Sequence, residues 1–170
     1  MNIKKLSNYL IATSLIIGSN VFAEDINDKL EMVVILDSLG SRDILSGDFQ
    51  EAAGKIEDRK DSRRYKDSTF EVSMAACVAE YGISKLVQAE KSCTKAITDY
   101  EGKSDKEYSS LKSFALSNRS IVRYKMGDFD NSFKDIKLAV KIDDNKIVTK
   151  NLELLFPSKT AIESATTAGE

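Results

Sequence analysis

The sequence holds no histidine and no tryptophan, one proline, two cysteines and eight glycines in 170 residues. Without an imidazole, every mechanism that uses histidine as general base, zinc ligand or proton shuttle is closed to the chain acting alone. With so little proline and glycine, a dense antiparallel fold with many tight turns is not expected, and abundant Ala, Leu, Lys, Glu and Ile favour helix. Two cysteines are too few for a disulfide framework to carry folding, and without histidine they make a poor zinc site. Neither sign of charge dominates: 25 basic and 27 acidic residues leave a formal charge of −2, a poor basis for binding nucleic acid or anionic lipid through bulk charge. What is present, 42% apolar and 31% charged residues, is ordinary for one soluble domain, and with the helix-forming residues the expected class is all-α.

The first 23 residues read as an address. Lys4 and Lys5 precede an apolar run, Leu10 to Gly18, broken only by Thr13 and Ser14, and Val21-Phe22-Ala23 places small residues at the two recognition positions before Glu24. The run is far shorter than the roughly 20 residues that cross a bilayer, so cleavage after Ala23 is expected rather than an uncleaved anchor. Residues 24–156 are then the folded domain, periplasmic or secreted, with no stable membrane insertion. Residues 157–170, small and polar beyond Pro157, are expected to be disordered.

Two stretches align as internal copies. Superposing Ala139 on Ala96 sets Gly127 on Ser84, Ser132 on Ala89 and Ile136 on Cys93, and each copy divides into helix, tight turn and helix. Phe129, Phe133, Ile136 and Val140 form one amphipathic stripe; Leu86, Ala89, Cys93, Ala96, Ile97 and Tyr100 form its counterpart. Ser68-Thr69-Phe70-Glu71 has the form of a capping box and predicts a helix from about Thr69 to Gly82, and Gly102 reads as a helix end. Lys106 to Met126 reads as a long helix with a partner beginning at Gly127 or Asp128, and Asp143-Asp144-Asn145 as a turn capping Lys146 to Leu155. The run Leu30 to Leu36 is too short for its pattern to separate helix from strand; helix is favoured. Asp58 to Asp67, five basic residues among acids, reads as a solvated linker.

Asn118-Arg119-Ser120, Gly127-Asp128-Phe129 and Ala139-Val140 resemble the N-R-A, G-D-Y/F and A-I/L positions of a tetratricopeptide repeat. Gly40 with Gly47-Asp48-Phe49 and Ala52 is similar to the same pattern and gives a first copy. The turn positions lie 37 and 43 residues apart against the usual 34 or so, Asp144 stands where the signature proline would, and Leu116 replaces the tryptophan. The chain also resembles small exported bacterial members of this family. The resemblance implies helical hairpins stacked as a short right-handed solenoid whose first helices line a concave peptide groove. The aligned groove positions are Glu71, Met74, Val78, Tyr81, Phe114, Ser117, Asn118, Ile121, Tyr124 and Lys125. Asn118 matches one residue of the family's carboxylate clamp, but Ser117 and Ile121 replace its lysine and second asparagine, so that specialised role is not expected.

In this alignment Cys77 and Cys93 fall on facing surfaces of one hairpin. In an oxidising compartment a disulfide is expected there, worth roughly 3 kcal/mol for a loop of this length. Two reduced core cysteines are the alternative if their side-chain vectors diverge. A redox-active pair would sit closer in sequence at a helix start.

No catalytic constellation emerges. Gly102-Lys103-Ser104 lacks the earlier glycine of a phosphate-binding loop, Ile97 standing in its place. The acids Asp128, Asp130, Asp143 and Asp144 do not fall into a calcium loop. No motif for a Ser-Lys pair is present. The expectation is a non-catalytic, cofactor-free exported protein that mediates protein–protein interaction or assembly in the bacterial envelope, with an unidentified protein or peptide partner. The alternative is a structural, self-associating envelope protein without a peptide ligand.

Overall fold

The computed structural model describes residues 9–13, 29–60, 70–99 and 106–157. Two short strands, β1 (Tyr9–Thr13) and β2 (Glu31–Ile35), precede seven helices: α1 (Ser41–Leu45), α2 (Phe49–Lys60), α3 (Phe70–Gly82), α4 (Leu86–Thr98), α5 (Lys106–Lys125), α6 (Phe129–Ile142) and α7 (Lys146–Leu155). The predicted helices near 69–82, 106–126 and 146–155 agree with α3, α5 and α7 to within a residue. Ser68, Gly102, residues 61–67 and the tail beyond Pro157 lie outside the described residues, as does the N-terminal leader apart from Tyr9–Thr13. Asp58, Arg59 and Lys60, read from sequence as the start of a linker, instead continue α2. Among the described residues no helix is long and apolar enough to cross a membrane.

One turn recurs three times. Gly47, Ser84 and Gly127 all take left-handed backbone, with φ of 84°, 61° and 84°. In each, the N–H of that residue donates to a carbonyl three residues back, and the next N–H donates five residues back: Asp48 to Asp43, Lys85 to Glu80 and Asp128 to Arg123. This is the Schellman ending of a helix, closing α1, α3 and α5 directly before α2, α4 and α6 begin. The first and third turns also cap the new helix. The Asp48 carboxylate accepts from the Glu51 N–H at 3.1 Å, and that of Asp128 from the Asn131 N–H at 3.3 Å. The side-chain amide of Asn131 holds the Asp128 carboxyl below the usual carboxylate range. The middle turn has Ser84 where the others have glycine, and Lys85, which makes no side-chain cap. A Cβ in left-handed backbone costs about 1–2 kcal/mol, partly offset by the entropy glycine loses on folding. Ser84→Gly is therefore expected to raise stability by about 0.5–1 kcal/mol, read as a higher denaturation midpoint with an unchanged slope.

Five and nine residues after each turn the chain points inward. Ala52, Ala89 and Ser132 are buried, as are Ile56, Cys93 and Ile136. The small residues let helices approach closely, most clearly between α5 and α6. There the Ser120 hydroxyl donates to the Ser132 carbonyl at 2.9 Å and the Ser132 hydroxyl to the Ser120 carbonyl at 2.8 Å. Ser113 adds a bond to the Ala139 carbonyl at 2.9 Å. Helix α3 is covered on all sides, with Phe70 and every residue from Val72 to Ala79 buried, which is the pattern of a central helix.

The segment 30–36, favoured as helix from the sequence, contains a strand instead. Met32, Val33 and Val34 are at most 1% exposed, so both faces of β2 lie inside the molecule, packed on α3 and α5. Burying three such side chains contributes about 1.5–3 kcal/mol each before entropy is counted. β1 pairs with β2 antiparallel, Tyr9 opposite Ile35 through Thr13 opposite Glu31, so the helical fold carries one small two-stranded sheet.

Candidate functional site

The positions aligned with a peptide groove lie on α3 and α5. Met74, Val78, Phe114, Ser117, Asn118 and Ile121 are all buried; Glu71, Tyr81 and Tyr124 are half-buried and Lys125 is exposed. The chain's own β2 lies against these two helices. Tyr124 is engaged by aromatics of the same chain, edge-on to Phe129 at 5.0 Å and to Phe156 at 5.7 Å.

What holds β2 is main-chain chemistry. The Asn118 side-chain amide on α5 accepts from the Val33 N–H at 2.9 Å and donates to the Val33 carbonyl at 2.8 Å. Asn151 on α7 does the same for Glu31, at 2.9 and 2.8 Å. Each amide thus mimics the two-bond pairing that a neighbouring strand would supply. Both asparagines are fully buried, so a lost bond would leave main-chain groups without water to replace it. Asn151 is itself positioned by Ser117, whose hydroxyl oxygen accepts its second N–H at 2.9 Å. Lys150 forms an ion pair with the Glu31 carboxylate. The sequence reading singled out Asn118 but missed Asn151. The available signal was a second asparagine 33 residues on, flanked by Val148, Leu152 and Leu155 in an amphipathic helix.

A second feature ties three helices together. The Asp135 carboxylate on α6 accepts a fork from Arg119 at 2.7 and 2.8 Å and a third bond from Arg123 at 2.9 Å. Arg119 also reaches the Thr94 hydroxyl at 3.1 Å, and Arg123 the Glu90 carboxylate at 2.8 Å, both on α4. Each of these bonds joins side chains of α4, α5 and α6, so the cluster braces the three helices against one another.

Cys77 on α3 and Cys93 on α4 are both fully buried, with Cα atoms 5.1 Å apart and sulfurs at disulfide distance. The bond closes the α3–α4 hairpin around a separation of 16 residues. Cys93→Ser is expected to cost about 3 kcal/mol under oxidising conditions and much less after reduction. Equal losses in both states would assign Cys93 to packing alone.

An open cleft of about 440 Å³ lies past the end of β2, lined by Leu36, Asp37, Leu39, Arg59, Glu71 and Val72 among others. Its nearby serine, Ser38, donates its hydroxyl to the Ile35 carbonyl at 2.7 Å and so holds the turn that leaves the strand. Among the described residues no group of three or more Cys, Asp or Glu side chains is placed to hold a metal ion. Searches against protein families, curated proteins and solved structures find no match to this chain.

Proposed function

We propose that the chain is an exported, non-catalytic helical-repeat protein of the tetratricopeptide kind that mediates protein–protein interaction or assembly in the bacterial envelope. In this reading residues 1–23 are removed as a leader, and the hairpins stack as a short right-handed solenoid. The observation that carries it is the pair of buried amides, Asn118 and Asn151, gripping an extended backbone at both N–H and C=O. Such a grip reads main chain irrespective of side chain, and it holds the chain's own β2 in the extended form to which a further segment can add. The turn repeated at residues 47, 84 and 127 supports repeats, and the Cys77–Cys93 pair is compatible with an oxidising compartment.

A structural, self-associating protein without a peptide ligand is the second reading. It is favoured by the exposed Val87, Phe129 and Leu138 on α4 and α6. The deciding experiment expresses the full-length gene in an exporting bacterium and recovers the protein by cell fraction. Mass spectrometry should find Glu24 as first residue, a mass two hydrogens below the reduced chain, and a defined partner after in-cell cross-linking. A cytoplasmic product retaining residues 1–23 would overturn the exported reading. An oligomer of this chain alone would favour the second.

A further inference from the structure

The two edges of β2 are used differently. Main-chain groups along a strand alternate in direction, so the residues whose N–H and C=O meet one neighbour are every second one. Glu31 and Val33 face the asparagines, and the Ile35 carbonyl on the same side accepts from the Ser38 N–H at 3.3 Å. Met32 and Val34 therefore face the other way, where β1 lies, opposite Ala12 and Leu10. This outer edge is occupied by Tyr-Leu-Ile-Ala-Thr, an uncharged apolar strand that belongs to the very segment read as a cleaved leader.

We propose that the outer edge of β2, through the main-chain groups of Met32 and Val34, is a docking edge for an extended apolar segment of a partner protein, which adds as an antiparallel strand once residues 1–23 are gone. The inference rests on the exported, processed reading above and gives that reading its ligand class. Removing β1 strips partners from two N–H and two C=O groups of a strand whose inner edge stays bonded to Asn118 and Asn151 and whose residues pack on α3 and α5. The strand is thus already ordered for an incoming segment, and little conformational entropy is lost on its side of the interface. Tyr9–Thr13 shows the chemistry that fits: five extended residues, no charge, no proline. A second copy's β2 is a poorer occupant, because it is buried among its own helices and would bring them against α3 and α5, whereas a free extended segment brings none.

The test uses the processed protein recovered from the envelope of cells expressing the full-length gene, and as probe a synthetic peptide of residues 7–15. Saturable binding by fluorescence anisotropy is expected. N-methylation of the peptide at Leu10 or Ala12, whose N–H groups face β2, should weaken it about tenfold or more, while N-methylation at Ile11, whose N–H faces away, should change it less than about threefold. Equal losses at all three positions, or no binding, would overturn the strand-addition site. Dimerisation of the processed protein that the peptide abolishes would overturn the partner segment in favour of a second copy. If the peptide fails while in-cell cross-linking still captures a distinct partner, the docking edge falls and the interaction-module reading stands. If both fail, that reading falls with it.

Discussion

Asn118→Leu is expected to cost about 4 kcal/mol, a large share of the 5–15 kcal/mol that holds a domain of this size together. Leucine keeps the branching of asparagine but is larger, so no cavity opens, and crowding at this fully buried position adds to the loss of polar chemistry. With the amide gone, the Val33 N–H and C=O, each now bonded to Asn118, are left unpaired in a site where Val33 itself is 0% exposed. Each unsatisfied main-chain group costs about 1–3 kcal/mol, and about 2 for each gives the expected total. Guanidinium denaturation should show a lower midpoint with an unchanged slope. A loss below about 1 kcal/mol would mean that β2 is held by its side chains rather than by the amide. Asn151→Leu provides a graded comparison. Its partner Glu31 is only half-buried, so water can replace part of what is lost and the cost should be smaller.

Asp135→Ala is expected to cost about 3 kcal/mol. The Asp135 side chain is 7% exposed and neutralises two arginines one turn apart on α5, whose side chains are 15% and 19% exposed. Removing one partner of a buried ion pair leaves the other charge uncompensated at a typical 3–5 kcal/mol; the residual exposure of Arg119 and Arg123 sets the expectation at the low end of that range. Without Asp135 the two guanidiniums also repel each other, four residues apart on one helix face. Glu90→Gln disturbs only the outer bond to Arg123, at a carboxylate 29% exposed, and should cost under about 1 kcal/mol. A contrast of that kind between the two variants identifies burial, not the number of ion pairs, as the source of the stability. Equal effects would place the brace at the solvent-exposed end of the scale.

Much of the helical framework was legible because it is written locally. Glycine at 47 and 127, followed in each case by aspartate, carries both the left-handed ending of one helix and the cap of the next, and the structure places both there. Ser84 was found in the same role only by superposing stretches, since serine does not advertise left-handed backbone. The cysteines were paired by the same superposition, and their Cα separation of 5.1 Å agrees with it. For 30–36 the sequence favours helix where the structure has a strand, because an apolar run of that length carries no period and its state depends on neighbours distant in sequence. Asn118 stands out in the sequence through its match to one residue of a terminal-carboxylate clamp whose other residues are missing, and its amide grips a main chain 85 residues away.

Composition and spacing alone indicate that the chain is mostly helical and where the turns at 47 and 127 fall, because helix periodicity, caps and left-handed turns are set by residues within a few positions of each other. What lies against α3 and α5 was decided only when the chain folded. Whether a strand packs there depends on which buried donors and acceptors find partners across the whole molecule. Here Asn118 and Asn151, far along the chain, complete a segment that has no hydrogen-bonding future by itself.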